Sequence, residues 1–407
     1  MANLTARFLS AVAEPTGVWE KIIMAFHSGI PNYAWAIIVF TVVLKLILLP
    51  LDFLNKYITA KNTKVQNLIQ PELAKIQKQY GNNKQILNQK TMELYKKHNY
   101  NVTGSCVIML VNMALTLFIF ITLFSGLNSM AAYKVQYQYN EVQKSYYAVS
   151  DYNIDNIVDI YENHYNIYVN DANNLDQNGA YNKENAANYA KTNTINTIKS
   201  YKNEISDADA LKRYNEVKES WLWVDNIWKS DTPWTNSVAN FDEYLSNAGA
   251  NFKDTEIEVK GAKETLSADT LKELAKVEYE QIMNPISESA GRENGYLVIV
   301  ILAVGATVVS MLATQGKLKF KRKKKTTLEE DAAPKQKQPG GWLMLVLLPG
   351  IMLWITLSYN AVFGLYILMS SVVGIATTPL VNWGIKLMEN RKSKKAEKTT
   401  VSYSRKK

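Results

Sequence analysis

Residues 33–51 read YAWAIIVFTVVLKLILLPL. A helix needs about 20 apolar residues to cross roughly 30 Å of hydrocarbon, and this run has that length. It nevertheless carries Lys45 inside the apolar stretch and Pro50 near its end. A charge held in such a helix costs roughly 2.5–3.5 kcal/mol on insertion scales. Two placements relieve that cost. Lys45 can face a hydrated groove, or it can snorkel: Pro50 is five residues on, about 7.5 Å along the helix axis, so the ammonium can reach headgroups.

The rest of the chain alternates apolar blocks with charged ones. It has 407 residues, 47% of them hydrophobic, and a formal net charge of +9. The single cysteine, Cys106, excludes an intramolecular disulfide and a cysteine-based zinc site. His27, His98 and His164 are scattered without metal-ligand spacing. No Gly-rich phosphate loop, nucleophile elbow or paired-carboxylate motif stands out. The expectation is a protein that is not an enzyme and uses neither cofactor nor metal.

Five apolar blocks are long enough to read as spans: 33–51, 105–127, 296–314, 342–357 and 361–383. The last two are separated only by a short polar link, which makes a tight helical hairpin. Pro349-Gly350 and Pro379 predict kinked or shortened spans. Ahead of the first span, Val18, Trp19, Ile22, Ile23 and Phe26 recur at helical spacing with Glu20, Lys21 and His27 between them. Within the external segment 1–32, that pattern predicts an amphipathic helix in the membrane interface.

Charge orients the spans. Residues 52–103 hold nine lysines against three acids, 315–341 nine Lys/Arg against three, and 386–407 nine against two. Residues 131–293 reverse this, with sixteen Lys/Arg against twenty-seven Asp/Glu. Under the positive-inside rule the basic segments are cytoplasmic. The chain then has its N-terminus outside, a cytoplasmic segment at 52–104, an external region at 128–295, a basic cytoplasmic loop at 315–341 and a cytoplasmic tail at 384–407.

The segment 52–104 predicts a helical hairpin turning at Gly81-Asn82-Asn83, with a bend near Gln70 because Pro71 suits a first helical turn. Its basicity asks for an anionic neighbour, lipid headgroups or RNA. In the external region, Val135, Val142 and Val149 stand seven apart, as if the second span continued outward as a helix. Residues 182–219 and 268–283 also read as helical, and 170–179 as a polar loop. Residues 221–234, WLWVDNIWKSDTPW, form an aromatic cluster suited to the outer headgroup level.

Taken in order, these features resemble the YidC family of membrane protein insertases. The resemblance rests on TVVLKLILLPL at 41–51, IQPELAKIQKQYG at 69–81, GSCVIMLVNM at 104–113, the aromatic motif, and NAVFGLYILMSS at 360–371. It covers roughly residues 19–130 and 221–387, leaving 131–220 as an insertion. Lys45 stands where the family has an arginine, and Asn112 where it has a glutamine. Ile108, Ala114 and Asn360 replace family prolines. The match is to a divergent bacterial member.

The resemblance implies an all-α polytopic protein of the cell membrane, with five transmembrane helices around a polar groove. It implies a function in which hydrophilic tails of nascent membrane proteins pass through that groove without nucleotide hydrolysis. The residue spacing is compatible, since Thr41 and Lys45 share one helix face, as do Asn112 and Thr116. Tyr366 adds a hydroxyl at the family's Leu-Tyr position. The expected groove residues are Lys45, Thr41, Asn112, Thr116 and Tyr366; interhelical hydrogen bonding is the other use for Asn112 and Thr116. The basic tail and hairpin suit anionic lipid or a ribosome, a Sec-type translocon is a further expected partner, and DNA is not. The competing class is a surface receptor or adhesion protein acting through 131–220.

Overall fold

The computed structural model describes residues 14–98, 102–148, 157–202, 204–248, 252–314 and 341–404. The expected basic loop at 315–341 lies outside these apart from Gly341, as does Val149 of the expected seven-residue spacing. The chain divides into two units.

The second unit comprises Trp35–Ser125, Leu302–Met352 and Leu365–Lys407. Helix α1 (Val18–Gly29) precedes it, and its residues come from α2 (Tyr33–Tyr80), α3 (Lys84–Lys97), α4 (Val102–Ala148), α10 (Val298–Thr314), α11 (Gly341–Ser358) and α12 (Ala361–Ser404). Three stretches are long and apolar enough to cross a membrane: Tyr33–Asn62, Leu110–Ala148 and Ala361–Met388. Val298–Ala313 and Val346–Ser358 are shorter apolar helices. All five are apolar helices that fall on the five apolar blocks of the sequence, and three of them are long enough to cross a membrane.

The apolar surface is turned the way a bilayer requires. On α2, Ile37, Phe40, Thr41 and Leu44 form a buried stripe, while Trp35, Val39, Val43, Leu46 and Ile47 are exposed. On α4, Val107, Leu110, Val111, Met113, Leu117, Phe118 and Ile121 are all exposed. Contiguous exposed apolar faces of this extent mark contact with lipid or protein rather than water.

Pro71 does not begin a helix. Both Pro50 and Pro71 sit inside a continuous α2, and Pro349 and Pro379 are likewise interior to α11 and α12. Each removes one backbone bond, at about 3 kcal/mol in an isolated helix, and the neighbouring turns carry the helix through. The hairpin turn falls as expected. α2 ends at Tyr80, and the Asn83 side chain caps α3 by accepting from the backbone N–H of Gln85 and Ile86 at 3.1 and 3.2 Å.

The first unit comprises the residues up to Ala34, Gly126–Ile301 and Leu353–Gly364. α4 continues past Ser125 as one helix to Ala148, with Val135 and Val142 buried on the expected spacing. Between it and α10 come α5 (Ile157–Asn170), α6 (Lys183–Ser200), α7 (Glu204–Val217), α8 (Phe241–Ala248), strands β1 (Thr255–Val259) and β2 (Ala262–Leu266), and α9 (Ala268–Ala290). The expected helix 182–219 is therefore two helices, broken at Tyr201–Lys202. One core joins Tyr139, Val142 and Tyr146 of α4 to Tyr214 of α7, Tyr244 of α8 and Tyr279 of α9. A second joins α5 and α6 to β1, β2 and Leu271 of α9.

The β-hairpin was not expected. Its strands pair antiparallel from Thr255–Leu266 to Val259–Ala262. Lys260 and Gly261 turn with φ of 50° and 77°, the left-handed pair that a two-residue hairpin needs. Thr255, Ile257 and Val259 face inward in strict alternation.

Two expectations about the helix flanks are corrected. Glu20 does not lie on the polar face of α1. It is buried, and its carboxylate folds back against Gly17 at the helix start, as a third-position glutamate does. The aromatic motif is also not a flat headgroup belt. Only Leu222 and Trp234 are exposed, while Val224, Asn226, Ile227, Trp228, Lys229, Asp231 and Thr232 are buried.

The buried residues of the motif cap two helices. The Asp231 carboxylate accepts from the backbone N–H of Tyr296 at 2.9 Å and of Ile299 at 2.7 Å, where α10 begins. The Lys229 and Ile227 carbonyls accept from Ala361 and Val362 at 2.8 and 3.2 Å, where α12 begins. A helix start leaves four N–H groups without partners, and this motif supplies acceptors for both. Its polar residues are themselves fastened: Lys229 pairs with Glu243 at 2.7 Å, and Asn226 with Gln138 at 3.1 Å. A further clasp joins Lys134 of α4 to Glu219 at 2.9 Å and to the Tyr33 ring at 4.1 Å from its centroid.

Candidate functional site

The second unit contains a cavity of about 190 Å³. Lys45 and Leu48 of α2 line it, with Thr116, Ile119 and Phe120 of α4, and Thr307 of α10. Leu348 and Met352 of α11 complete it, with Tyr366, Ile367, Ser370 and Ser371 of α12. All five apolar helices contribute. The volume is well above the roughly 10–15 Å³ that one water requires.

Three of the five residues expected from the sequence line this cavity together: Lys45, Thr116 and Tyr366. Lys45 is half-buried, and among the described residues its ammonium makes no hydrogen bond or ion pair. The carboxylate that acts on it is Asp52, about two turns further along α2. Half-burial beside the cavity leaves the ammonium without the full exposure that a headgroup position would give.

Thr41 is placed differently. It is fully buried one turn before Lys45, and its hydroxyl donates to the Ile37 carbonyl at 2.6 Å. That bond satisfies the hydroxyl within its own helix, so Thr41 packs behind the lysine without lining the cavity. Asn112 also lies outside the lining, one turn from Thr116. Its Oδ1 is buried and, among the described residues, has no hydrogen-bond partner. A buried amide oxygen of this kind calls for water or an incoming donor.

The cavity holds polar groups that the sequence reading passed over. Thr307 and Ser371 approach at 3.2 Å between hydroxyl oxygens, and the Thr307 hydroxyl also donates to the Ala303 carbonyl at 2.8 Å. The Tyr366 hydroxyl pairs with Ser370 one turn on. Ser370 and Ser371 interrupt an apolar run, and Thr307 is one of few polar residues in its span, with Ser310 and Thr314. That interruption was the available signal, but it does not tell a groove-lining hydroxyl from one bonded to its own helix. Beyond the cavity on the same helices, Lys56 donates to the Thr378 hydroxyl at 3.0 Å.

The chemistry is that of a small polar pocket walled by apolar helices. It offers one fixed cation, hydroxyls able to donate or accept, and no carboxylate in its lining. Among the described residues no group of three His, Cys, Asp or Glu is placed to hold a metal.

Residues 25–169 match the family described as 60Kd inner membrane protein. Over 125 residues the chain is 41% identical to a membrane protein insertase YidC of Fusobacterium nucleatum, covering 31% of this chain and 54% of that one. Over this part the chain is similar to YidC membrane protein insertases. Other YidC proteins agree: one of Clostridium tetani is 46% identical over 95 residues, covering 22% of this chain and 41% of the relative. One of Leptospira interrogans is 38% identical over 127 residues, covering 31% and 19%. The matched part thus spans about half of the Fusobacterium YidC and less of the others. Thr41, Lys45, Asn112 and Thr116 lie inside the stretch that matches the 60Kd inner membrane protein family, and Tyr366 beyond it. No solved structure matches the chain.

Proposed function

We propose that this chain is a membrane protein insertase whose working site is the polar pocket around Lys45. The observation that carries the reading is the convergence of Lys45, Thr116, Thr307, Tyr366 and Ser371, from four helices, on one cavity in a chain similar to YidC membrane protein insertases. The pocket is the closed inner part of a hydrated groove between five spans. The fixed cation attracts acidic residues of a substrate's hydrophilic tail and draws the tail partway across. The Asn112 amide and the hydroxyls replace part of the tail's hydration shell.

The substrate's apolar segment then passes to lipid along the exposed faces of α2 and α4. Burying about 20 apolar residues, at roughly 25 cal/mol per Å², supplies the free energy, so no nucleotide is hydrolysed. The proposed topology has the N-terminus outside, the α2–α3 hairpin and the C-terminus in the cytoplasm, and the first unit outside. Similarity to YidC insertases does not favour the receptor reading through 131–220. The test is genetic: this chain restores growth to a bacterium depleted of its own insertase. Failure of a stably expressed chain to do so overturns the reading.

The proposed partners follow from charge. The hairpin and tail are basic and sit where anionic lipid is the default counterpart. The same charge suits the ribosomal RNA of a translating ribosome, and substrate delivery also allows a Sec-type translocon as partner. Removing residues 391–407 is expected to lower ribosome co-sedimentation at least several-fold at low salt, because each lost phosphate contact reduces binding. Unchanged co-sedimentation excludes the tail as a ribosome arm.

A further inference from the structure

The first unit buries a carboxyl group that the insertase reading does not use. Glu278 of α9 is 2% exposed. Its Oε1 accepts from the Gln143 amide at 3.1 Å and from the Tyr147 hydroxyl at 3.0 Å, both on α4. Among the described residues no lysine, arginine or histidine pairs with it. A buried carboxylate without a cation is costly, because neutral donors only partly replace its hydration.

From α4 come Gln143, Tyr139 and Tyr147, and from α8 Tyr244, whose charges would act on Glu278 only if the phenols ionised. The phenol of Tyr244 is held well above its ordinary range by burial, so it stays neutral. On α9 itself the neighbour is Tyr279, whose ring lies 4.7 Å from Tyr139 and 5.0 Å from Tyr244. Charged groups on the packed elements are engaged elsewhere: Glu243 with Lys229, Glu141 with Arg213 and Lys144, Lys276 with Glu280 on α9 itself, and Lys191 of α6 with Glu273. From α7, Tyr214 donates to the Ser237 carbonyl.

We propose that Glu278 is a proton-controlled latch between α9 and α4: protonated, it sits neutral in the core and the two helices close over it, and ionised, its buried charge, only partly offset by the Gln143 and Tyr147 donors, loosens that packing. Burial pushes the Glu278 carboxyl up to about 7, and the Tyr147 and Gln143 donors pull it down by less. A carboxyl raised in the folded state above its ordinary 4.5 binds its proton more tightly when folded. Its contribution is therefore fully present below about pH 4.5 and is lost as pH rises through about 7. The pH that matters is that of the medium bathing the first unit, which on the proposed topology is the external one. The inference concerns a different unit from the Lys45 pocket, so either can fail alone.

The test compares the full-length chain in lipid nanodiscs with Glu278→Gln and Tyr147→Phe. Unfolding midpoints and amide exchange of residues 268–290 are followed from pH 5 to 8.5. At pH 5 wild type and Glu278→Gln unfold together. At pH 8 the Gln variant, which carries no charge to bury, unfolds about 5 °C higher and exchanges more slowly in α9. Tyr147→Phe removes a donor that favours the ionised form, so the step in its pH profile moves to higher pH. A Glu278→Gln offset that is constant with pH, or a Tyr147→Phe step that does not move, overturns the latch.

Discussion

On the proposed function, Lys45→Ala is expected to lower insertion of a substrate with an acidic tail by more than tenfold, and Lys45→Arg to keep most of it. The reasoning starts from the cost of holding a cation in an apolar helix, roughly 2.5–3.5 kcal/mol. A tail carboxylate meeting that cation in the half-buried pocket gains a charge-assisted bond, about twice as strong as a neutral one. A contribution of about 1.4 kcal/mol corresponds to tenfold in rate, and one such bond supplies it. Arginine keeps the charge and adds a planar, bidentate donor set. Alanine leaves the hydroxyls of Thr116, Thr307 and Tyr366, which solvate a tail without attracting it.

The measurement is protease protection of a single-span substrate in proteoliposomes holding each purified variant. A second substrate, with its tail acids changed to Asn and Gln, separates attraction from structural damage. Its insertion is expected to be slower in wild type and nearly indifferent to Lys45→Ala. Equal loss for both substrates means that alanine has disrupted the pocket. Wild-type insertion of the acidic substrate by Lys45→Ala removes the lysine from the mechanism.

The second unit was legible because a membrane span writes its length and its charge defects directly into the sequence. All five apolar blocks are helices, and Lys45, Thr116 and Tyr366 meet in one cavity. The periodicity that placed Thr41 beside Lys45 was sound, but it could not say which polar side chain faces the cavity. Thr41 satisfies itself on the Ile37 carbonyl. Proline misled for a different reason: propensity is local, and the long α2 carries Pro50 and Pro71 without ending.

The first unit was less legible. Its hairpin uses Lys260-Gly261 in place of the Asn-Gly or Asp-Gly that signals a tight turn. Its second strand, AKETL, lacks the alternation of the first. The aromatic motif was read for its rings, although its function in the fold lies in the polar atoms between them. Tryptophans draw attention to an interface, but backbone carbonyls and a single aspartate leave no composition signal.

That aspartate supports the other large expected effect. Asp231→Ala is expected to destabilise the first unit by about 3 kcal/mol, because it strips the carboxylate from the buried backbone N–H of Ile299 and the partly buried one of Tyr296. Hydrogen bonds to a charged group are worth roughly 1.5–3 kcal/mol each, and an unpaired buried donor costs about 1–3. Against this stands the penalty for burying the charge, which pushes the Asp231 carboxyl above its usual range despite the N–H donors. That offset is why the estimate is set near the value of one bond and not two. For a unit of this size the loss lowers the unfolding midpoint by roughly 6–12 °C. Asp231→Asn keeps one acceptor and sheds the burial penalty, so it falls between alanine and wild type. Gly295→Ala acts on the same contact from the other side, since a Cβ there would collide with Asp231 Oδ1, and it is expected to mimic a partial loss. Amide exchange distinguishes a lost cap from general loosening. With Asp231→Ala, exchange rises first at Tyr296 and Ile299, while Ala361 and Val362 stay protected by the carbonyls of Lys229 and Ile227. Equal acceleration at both helix starts means that the whole motif has come apart, and no change at either means that Asp231 does not hold α10.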